Sequence, residues 1–273
     1  MFHITAKAFI CVWTVTCLGC TLNAEKPGET SEASAPNHES RAALADHDAT
    51  ISVETTSETT GIVEGTVHFT GETIPTSTMV PVGADPDVCG HLHSKEDYVI
   101  DEDGRGIRYV IIHLKGKQLR KWPQAKPQHL VLDNKNCRFE PHAAVLTIGS
   151  TVELRNSDKV FHTTHAYFGE SFNYGLSRET SVKHVFEVPG LTQIRCDRHG
   201  WMNSFIRVDR HPFHAVTDAS GQFKISDVPP GKYTLAAWHE QFGPQEIPIV
   251  VQAGETKTLP LTYPVPSETH SSD

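Results

Sequence analysis

Basic runs are missing from this 273-residue chain, and Asp plus Glu outnumber Lys plus Arg by 33 to 24, for a formal charge of -9. A polyanion would find no cationic footprint along the sequence, so nucleic acid is excluded as a partner. Cysteine is scarce, at 6 residues, too few for a disulfide-dense scaffold but enough to furnish a few metal ligands. The apolar run Ala8 to Gly19 is about half the length a bilayer-spanning helix needs. Glycine-rich phosphate loops, paired-carboxylate motifs, zinc-hydrolase strings and a Ser-His-Asp arrangement are also lacking, which argues against nucleotide chemistry and hydrolysis. Histidine, by contrast, reaches 17 residues and directs attention to metals.

What is present begins with an address. Residues 1–24 read as an export signal, with Lys7 ahead of the apolar run. Two processing points compete. Leu18-Gly19-Cys20 resembles a lipoprotein site at which Cys20 would be acylated, although Cys17 stands where that pattern has an aliphatic residue; cleavage after Ala24 is the rival. Either places the mature protein outside the cytoplasm, periplasmic or membrane-anchored. Residues 25–60 contain no aromatic side chain and many Ser, Thr and Glu, a composition that cannot repay the entropy of ordering and reads as a flexible spacer. With lipid on Cys20, that spacer would tether the folded part to a membrane. Residues 264–273 read as a flexible tail.

Between spacer and tail the sequence predicts an all-β chain. Short alternating runs broken by Gly, Pro, Asn and Asp recur at Ile62 to Phe69, Arg108 to Leu114, Ala144 to Ile148, Thr151 to Arg155, Val182 to Val188 and Leu191 to Cys196, with no convincing amphipathic helix among them. Such a pattern suits antiparallel sandwiches or barrels. Near the end, Thr217 to Phe223 and Val228 to Leu235 each read as a turn feeding a strand. This string resembles the carboxypeptidase regulatory-like, or transthyretin-like, β-sandwich module over residues 210–263. Its strands are too few to close a sandwich alone. Residues 61–127, through Gly61 to Phe69 and Tyr109 to Leu114, resemble the opening strands of the same module, so a split domain with a central insertion is expected.

The sharpest motif is Cys196-Asp197-Arg198-His199-Gly200-Trp201-Met202, a C-x2-H-x2-M string leaving the end of a strand. Thiolate, imidazole and thioether in so short a loop suit copper, whose blue sites combine two His, one Cys and a weak axial Met. The second histidine is supplied by the strand and turn from Val152 to His165, with His162 as candidate. Positions three apart on an extended chain face opposite ways, so His165 should point outward.

Cys137 to Pro141, Gly149 to Val152, Asn156 to His162 and the ligand loop follow the order of a cupredoxin, and residues 128–209 resemble that family, the loop spacing being most like amicyanin. The whole arrangement is similar to bacterial proteins named for methylamine utilization. The resemblance implies a Greek-key β-sandwich holding one type 1 copper on His162, Cys196, His199 and Met202, and an electron carrier in place of an enzyme. It also implies an electron exit at the surface edge of His199, with Trp201 in an apolar patch that docks redox partner proteins. Two positions depart from the family: Thr163 replaces an Asn that pins the Cys loop, and Gly200 replaces a Pro. Once export removes the leader, and with Cys196 committed to the metal, Cys89 and Cys137 are expected to pair as a disulfide. His91, His93, His211, His214 and His239 have no ligand partner at visible spacing and are expected in packing. The alternative reading is a non-redox copper-binding or delivery module, or an adhesion sandwich with a vestigial site.

Overall fold

Alternation of apolar and polar side chains produces strands throughout the computed structural model, which describes residues 59–122 and 125–265. The export signal, Cys20, nearly all of the spacer and most of the tail lie outside the described residues. In chain order the strands are β1 (Gly61–Phe69), β2 (Met79–Pro81), β3 (Leu92–Ser94), β4 (Ile111–Lys115), β5 (His129–Lys135), β6 (Arg138–Glu140), β7 (Ala143–Thr147), β8 (Ser150–Asn156) and β9 (His162–Phe168). They continue as β10 (Asn173–Leu176), β11 (Ser181–Phe186), β12 (Gly190–Arg195), β13 (Asn203–Asp209), β14 (His214–Val216), β15 (Gln222–Val228), β16 (Gly231–His239), β17 (Gly243–Val251) and β18 (Thr256–Tyr263). One short α-helix, α1 (Pro86–Cys89), and a 3-10 turn at Gln118–Lys121 interrupt them. No helix among the described residues is long and apolar enough to cross a membrane. The chain is all-β, as its sequence predicts.

The strands build two sandwiches within one compact unit of chain. The first, the copper-motif lobe, packs the sheet β10-β9-β12-β13-β7 against β11-β8-β5-β6. Two parallel pairings, β5 with β8 and β13 with β7, mark strands that cross between distant parts of the chain. Its core contains Leu132, Phe139, Val152, Leu154, Phe186, Ile194 and Ile206. Inward positions fall two apart, as on β8, where Ser150, Val152, Leu154 and Asn156 are all buried.

The second lobe packs β15-β1-β18 against β14-β4-β16-β17. The early strand β1 lies between two late ones, antiparallel to β15 and parallel to β18, while β4 lies between β14 and β16. Gly65 permits that close approach: a Cβ there would sit 1.9 Å from the Leu259 carbonyl oxygen. Val63, Val67, Phe69, Ile112, Leu114, Phe223, Leu235 and Val251 share one core. The copper-motif lobe is thus entered after β4 and left before β14. An apolar seam of Ile111, Ala143 and Phe205 joins the lobes, with Trp238 against Phe205 at 5.0 Å between ring centres.

Not all of residues 61–127 serves the second lobe. Cys89 belongs to the core of the copper-motif lobe, and Val80 and Val82 pack against it. The stretch containing β2, α1 and β3 therefore lies over the first lobe, held there by the Cys89–Cys137 disulfide.

Candidate metal centre

The turn between β8 and β9 is fixed by one buried side chain. Asn156 donates from Nδ2 to the carbonyls of Val160 (2.8 Å) and Leu176 (3.0 Å), and its Oδ1 accepts the Asp158 N–H at 2.9 Å. That closes the turn and sets His162 at the start of β9, facing inward, while His165 faces the other side and pairs with Asp197. The second contribution comes from the β12–β13 hairpin. Arg195 and Asn203 are the last register pair, and the seven residues between them form the loop. Within it Cys196 N–H donates to the Met202 carbonyl (3.3 Å) and Met202 N–H to the His199 carbonyl (2.9 Å). These bonds hold the loop on either side of Gly200.

The result is a buried triangle. His162 Nδ1 and His199 Nδ1 lie 3.0 Å apart, and Cys196 Sγ stands 3.8 Å and 3.5 Å from them respectively. A single ion with metal–nitrogen distances of about 2.0 Å and a metal–sulfur distance of about 2.3 Å can reach all three. His162 and His199 have no exposed surface, and Cys196 is almost as enclosed. Met202 is buried in the same core, its backbone closing the ligand loop.

Each imidazole is held from behind by a carboxylate. His162 Nε2 is 3.0 Å from Asp158 Oδ2, and His199 Nε2 is 3.1 Å from Asp85 Oδ2. Carboxylates in those positions keep the ring proton on Nε2 and leave both Nδ1 lone pairs aimed at the space beside the sulfur. Two lone pairs and a thiolate converging in a dry pocket repel one another unless a cation lies between them, so the donor set fits a metal ion. The soft sulfur and two imidazoles fit copper. Asp158 is itself fixed by the N–H groups of Asn136 and Cys137, both at 2.8 Å. Asp85 is gripped by Arg198 through two nitrogens, at 2.6 Å and 3.0 Å.

Electrostatics agree with this reading. In the metal-free site burial pushes the Cys196 thiol up, but protons shared by the His162 and His199 Nδ1 atoms, together with the Thr163 N–H, outweigh it and bring it down to about 5, so the sulfur is a thiolate at neutral pH whose charge a proton meets where an ion would otherwise lie. Burial alone would depress His162, yet Asp158 and the Cys196 sulfur hold it above the ordinary histidine value. Asp158 stays below the usual carboxylate range despite its burial, through His162 and the two backbone donors.

Thr163 makes two connections that pin the Cys196 loop. Its hydroxyl accepts the Asp197 N–H at 2.7 Å and lies 3.7 Å from Cys196 Sγ, and its N–H points at the same sulfur from 3.4 Å.

One expectation is corrected. The edge of His199 does not reach the surface, and Trp201 is buried: its indole N–H donates to the Cys137 carbonyl at 2.9 Å and its ring stacks on His93 at 5.3 Å. The physical reason is the crosslinked stretch from β2 to β3, which lies over the loop and brings Asp85 and Cys89 onto the His199 ring. Cys89 Sγ is 3.9 Å from Nε2. Reasoning from sequence missed Asp158, Asp85 and the Thr163 contacts. Asp158 had a local signal, an acid four residues before the candidate histidine in a turn, whereas Asp85 is 114 positions from His199 and had none. Of the other histidines, His93 packs on Trp201, and His214 pairs with Asp209 at 3.1 Å.

Residues 206–263 match the model of the carboxypeptidase regulatory-like domain. No curated protein matches the chain. Among solved structures, similar ones include a Cu-containing nitrite reductase from Thermus scotoductus SA-01, 22% identical over 32% of this chain and 24% of that one, with a TM-score of 0.29. The match thus spans about a quarter of the reductase. A purple cupredoxin from Nitrosopumilus maritimus is 25% identical over 29% of this chain and 96% of its own, with a TM-score of 0.26. An amicyanin variant in its Cu(I) state is 20% identical over 29% of this chain and 81% of its own, at 0.27. None of these names bears on methylamine utilization.

Proposed function

We propose that the protein is an exported electron carrier that would hold one type 1 copper ion on His162, Cys196, His199 and Met202. The observation that carries the reading is the buried triangle of two Nδ1 atoms and one sulfur, with each imidazole backed by a carboxylate. Copper held there would supply a one-electron Cu(I)/Cu(II) couple. The chain's own part is rigidity. Asp158 and Asp85 fix the two rings, Thr163 fixes the sulfur, and the backbone bonds of Met202 close the loop, so the ligands need not move between oxidation states. His162, Cys196 and His199 are all buried, which supports a carrier over an oxidase.

With His199 covered, the route outward leaves through Asp197, the covalent neighbour of Cys196. Asp197 is exposed and accepts hydrogen bonds from Tyr167 (2.7 Å) and Asn173 (3.2 Å), besides pairing with His165. Redox partner proteins would dock on this side. Export, and tethering through Cys20 where acylation occurs, belong to the same proposal and rest on the leader sequence.

The test is the visible spectrum of the Cu(II)-loaded protein beside Cys196→Ser. An intense thiolate-to-copper band that disappears in the variant supports the reading. Absence of the band from folded, disulfide-intact protein would return the site to metal binding without electron transfer.

A further inference from the structure

Away from the metal centre, a cleft of about 530 Å³ opens between the two lobes. Its walls come from both: His113 to Arg120 from the second lobe, Pro189 and Gly190 with Arg207 to His211 from the first and from the link to β14. The charge there is opposite to that of the protein as a whole. Five Lys and Arg side chains (Lys115, Lys117, Arg120, Arg207 and Arg210) line it against one acid, Asp209, in a chain of formal charge -9.

Part of that charge is spent locally. Arg207 binds Asp209 through Nε and an Nη nitrogen (3.0 and 2.9 Å), and Lys115 reaches Glu246 at the rim. Lys117, Arg120 and Arg210 form no ion pair among the described residues, and all three are exposed. Like charges gathered on one concave surface raise the local concentration of anions, because the low-dielectric walls focus the field.

A second, independent observation points into the same cleft. His113 is only 5% exposed, and neither of its ring nitrogens has a hydrogen-bond partner among the described residues. His214, its register partner across β4 and β14, likewise leaves Nε2 unpartnered. Buried polar atoms are rarely left without partners in native proteins, and an imidazole N–H at the base of a cationic cleft is a donor suited to an anionic oxygen. Leu114, Leu119, Pro189 and Val208 supply apolar wall beside it, the mixture expected of a small-molecule site at a junction between lobes.

From the cationic rim, the unpartnered His113 and the apolar wall together, we infer that this cleft binds a small organic anion bearing a phosphate or carboxylate group. The anionic end takes Lys117, Arg120 and Arg210 and reaches the His113 ring, and the carbon skeleton lies along Leu119 and Pro189. The site is independent of the copper reading, since none of its residues is a ligand or supports one.

The test uses the full mature chain at low ionic strength with two probes, inorganic phosphate and succinate, followed by calorimetry and by the His113 ring resonances. Saturable one-to-one binding of either probe that shifts those resonances is expected. It should weaken about tenfold for each charge-assisted contact removed in Arg210→Gln and Lys117→Gln, while Lys183→Gln, an exposed residue of β11 that does not line the cleft, leaves it unchanged. Both cleft variants alter exposed side chains, so folding is not at risk. His113→Phe separates the base of the cleft from its rim: it should weaken phosphate while thermal unfolding shows the lobe intact. No saturable binding of either probe, or binding lost equally in Lys183→Gln, would overturn the inference, the latter marking general attraction to surface charge.

Discussion

Asp85 and His199 face each other at 3.1 Å on the side of the imidazole away from Cys196, so the ring is clasped between a sulfur three residues away and a carboxylate 114 residues away. Arg198 holds the carboxylate, keeping Asp85 below its usual range. Outer-sphere carboxylates of this kind are worth about ten- to a hundredfold in metal affinity. Asp85→Asn should therefore weaken copper binding by about that factor, measured by competition with a chelator. It should also raise the reduction potential, because removing a negative charge beside the ion favours the less positive Cu(I). A variant with unchanged affinity and potential would reduce Asp85 to a cover.

The disulfide reaches the candidate metal site from two directions. Cys89 touches the His199 ring, and the Cys137 N–H holds Asp158 behind His162. The crosslink closes a loop with a sequence separation of 48, for which the chain-entropy model gives about 4 kcal/mol. Cys89→Ala combined with Cys137→Ala should lose stability on that scale in urea unfolding and bind copper less tightly. Titration of free thiols in the mature, metal-free protein should find Cys196 and no other.

Thr163→Val keeps shape and removes a hydroxyl, leaving the Asp197 N–H without its acceptor and Cys196 without one donor. We expect about 1–2 kcal/mol of lost stability, together with a shift of the thiolate-to-copper band. Thr163→Ser should restore both. A spectrum identical to the parent in Thr163→Val would mean that the pin acts on the fold alone.

Acid should loosen the second lobe before it protonates most carboxylates. Burial, with His142 adding to it, brings His239 down to about 3, and burial with Arg207 does the same to His113. Both are neutral in the folded protein where the unfolded chain would take up protons, from about pH 6.5 downward. Stability is therefore whole above that pH and falls between about 6.5 and 3, by about 1.4 kcal/mol per pH unit for each group. His239→Phe should flatten the slope of stability against pH between 7.5 and 5, whatever it does to stability at a single pH.

Gly65 tests the closure of the second lobe. A Cβ at this position collides with the Leu259 carbonyl on one side and the Phe223 ring on the other. Gly65→Ala should cost about 1–3 kcal/mol by overpacking, whereas Gly83→Ala, where an added Cβ meets nothing within 4 Å, should cost far less.

The convergence of His162, Cys196 and His199 was legible because its residues are written locally: a Cys, a His and a Met within seven residues at the end of an alternating strand, and a histidine just after a strand that ends in Asn156. The strands were legible for the same reason, through periodicity. What failed was exposure. His199 and Trp201 were expected at the surface because nothing near them in sequence mentions the stretch from Met79 to Ser94, and the contact that buries them is made across more than a hundred residues. The Cys89–Cys137 pair was the one thread in the sequence leading to that cover. Asp85 could not be picked out, since an Ala-Asp-Pro-Asp string reads as a turn until its loop is placed over the site. The unpartnered nitrogens of His113 were equally invisible, because a histidine in an apolar strand looks the same whether or not its ring finds a partner.

The pairing of β1 with β18 has a mechanical consequence. These strands run parallel from Ile62 beside Thr256 to Phe69 beside Tyr263, and they lie at the two ends of the folded part. A pull applied between the leading end of β1 and the trailing end of β18 loads their ladder in shear, every rung together. The first sandwich, inserted between the neighbours β4 and β14, stays off the line of force. A protein dragged by its two tails would thus strain its second lobe while the ligand triangle rode along unstretched.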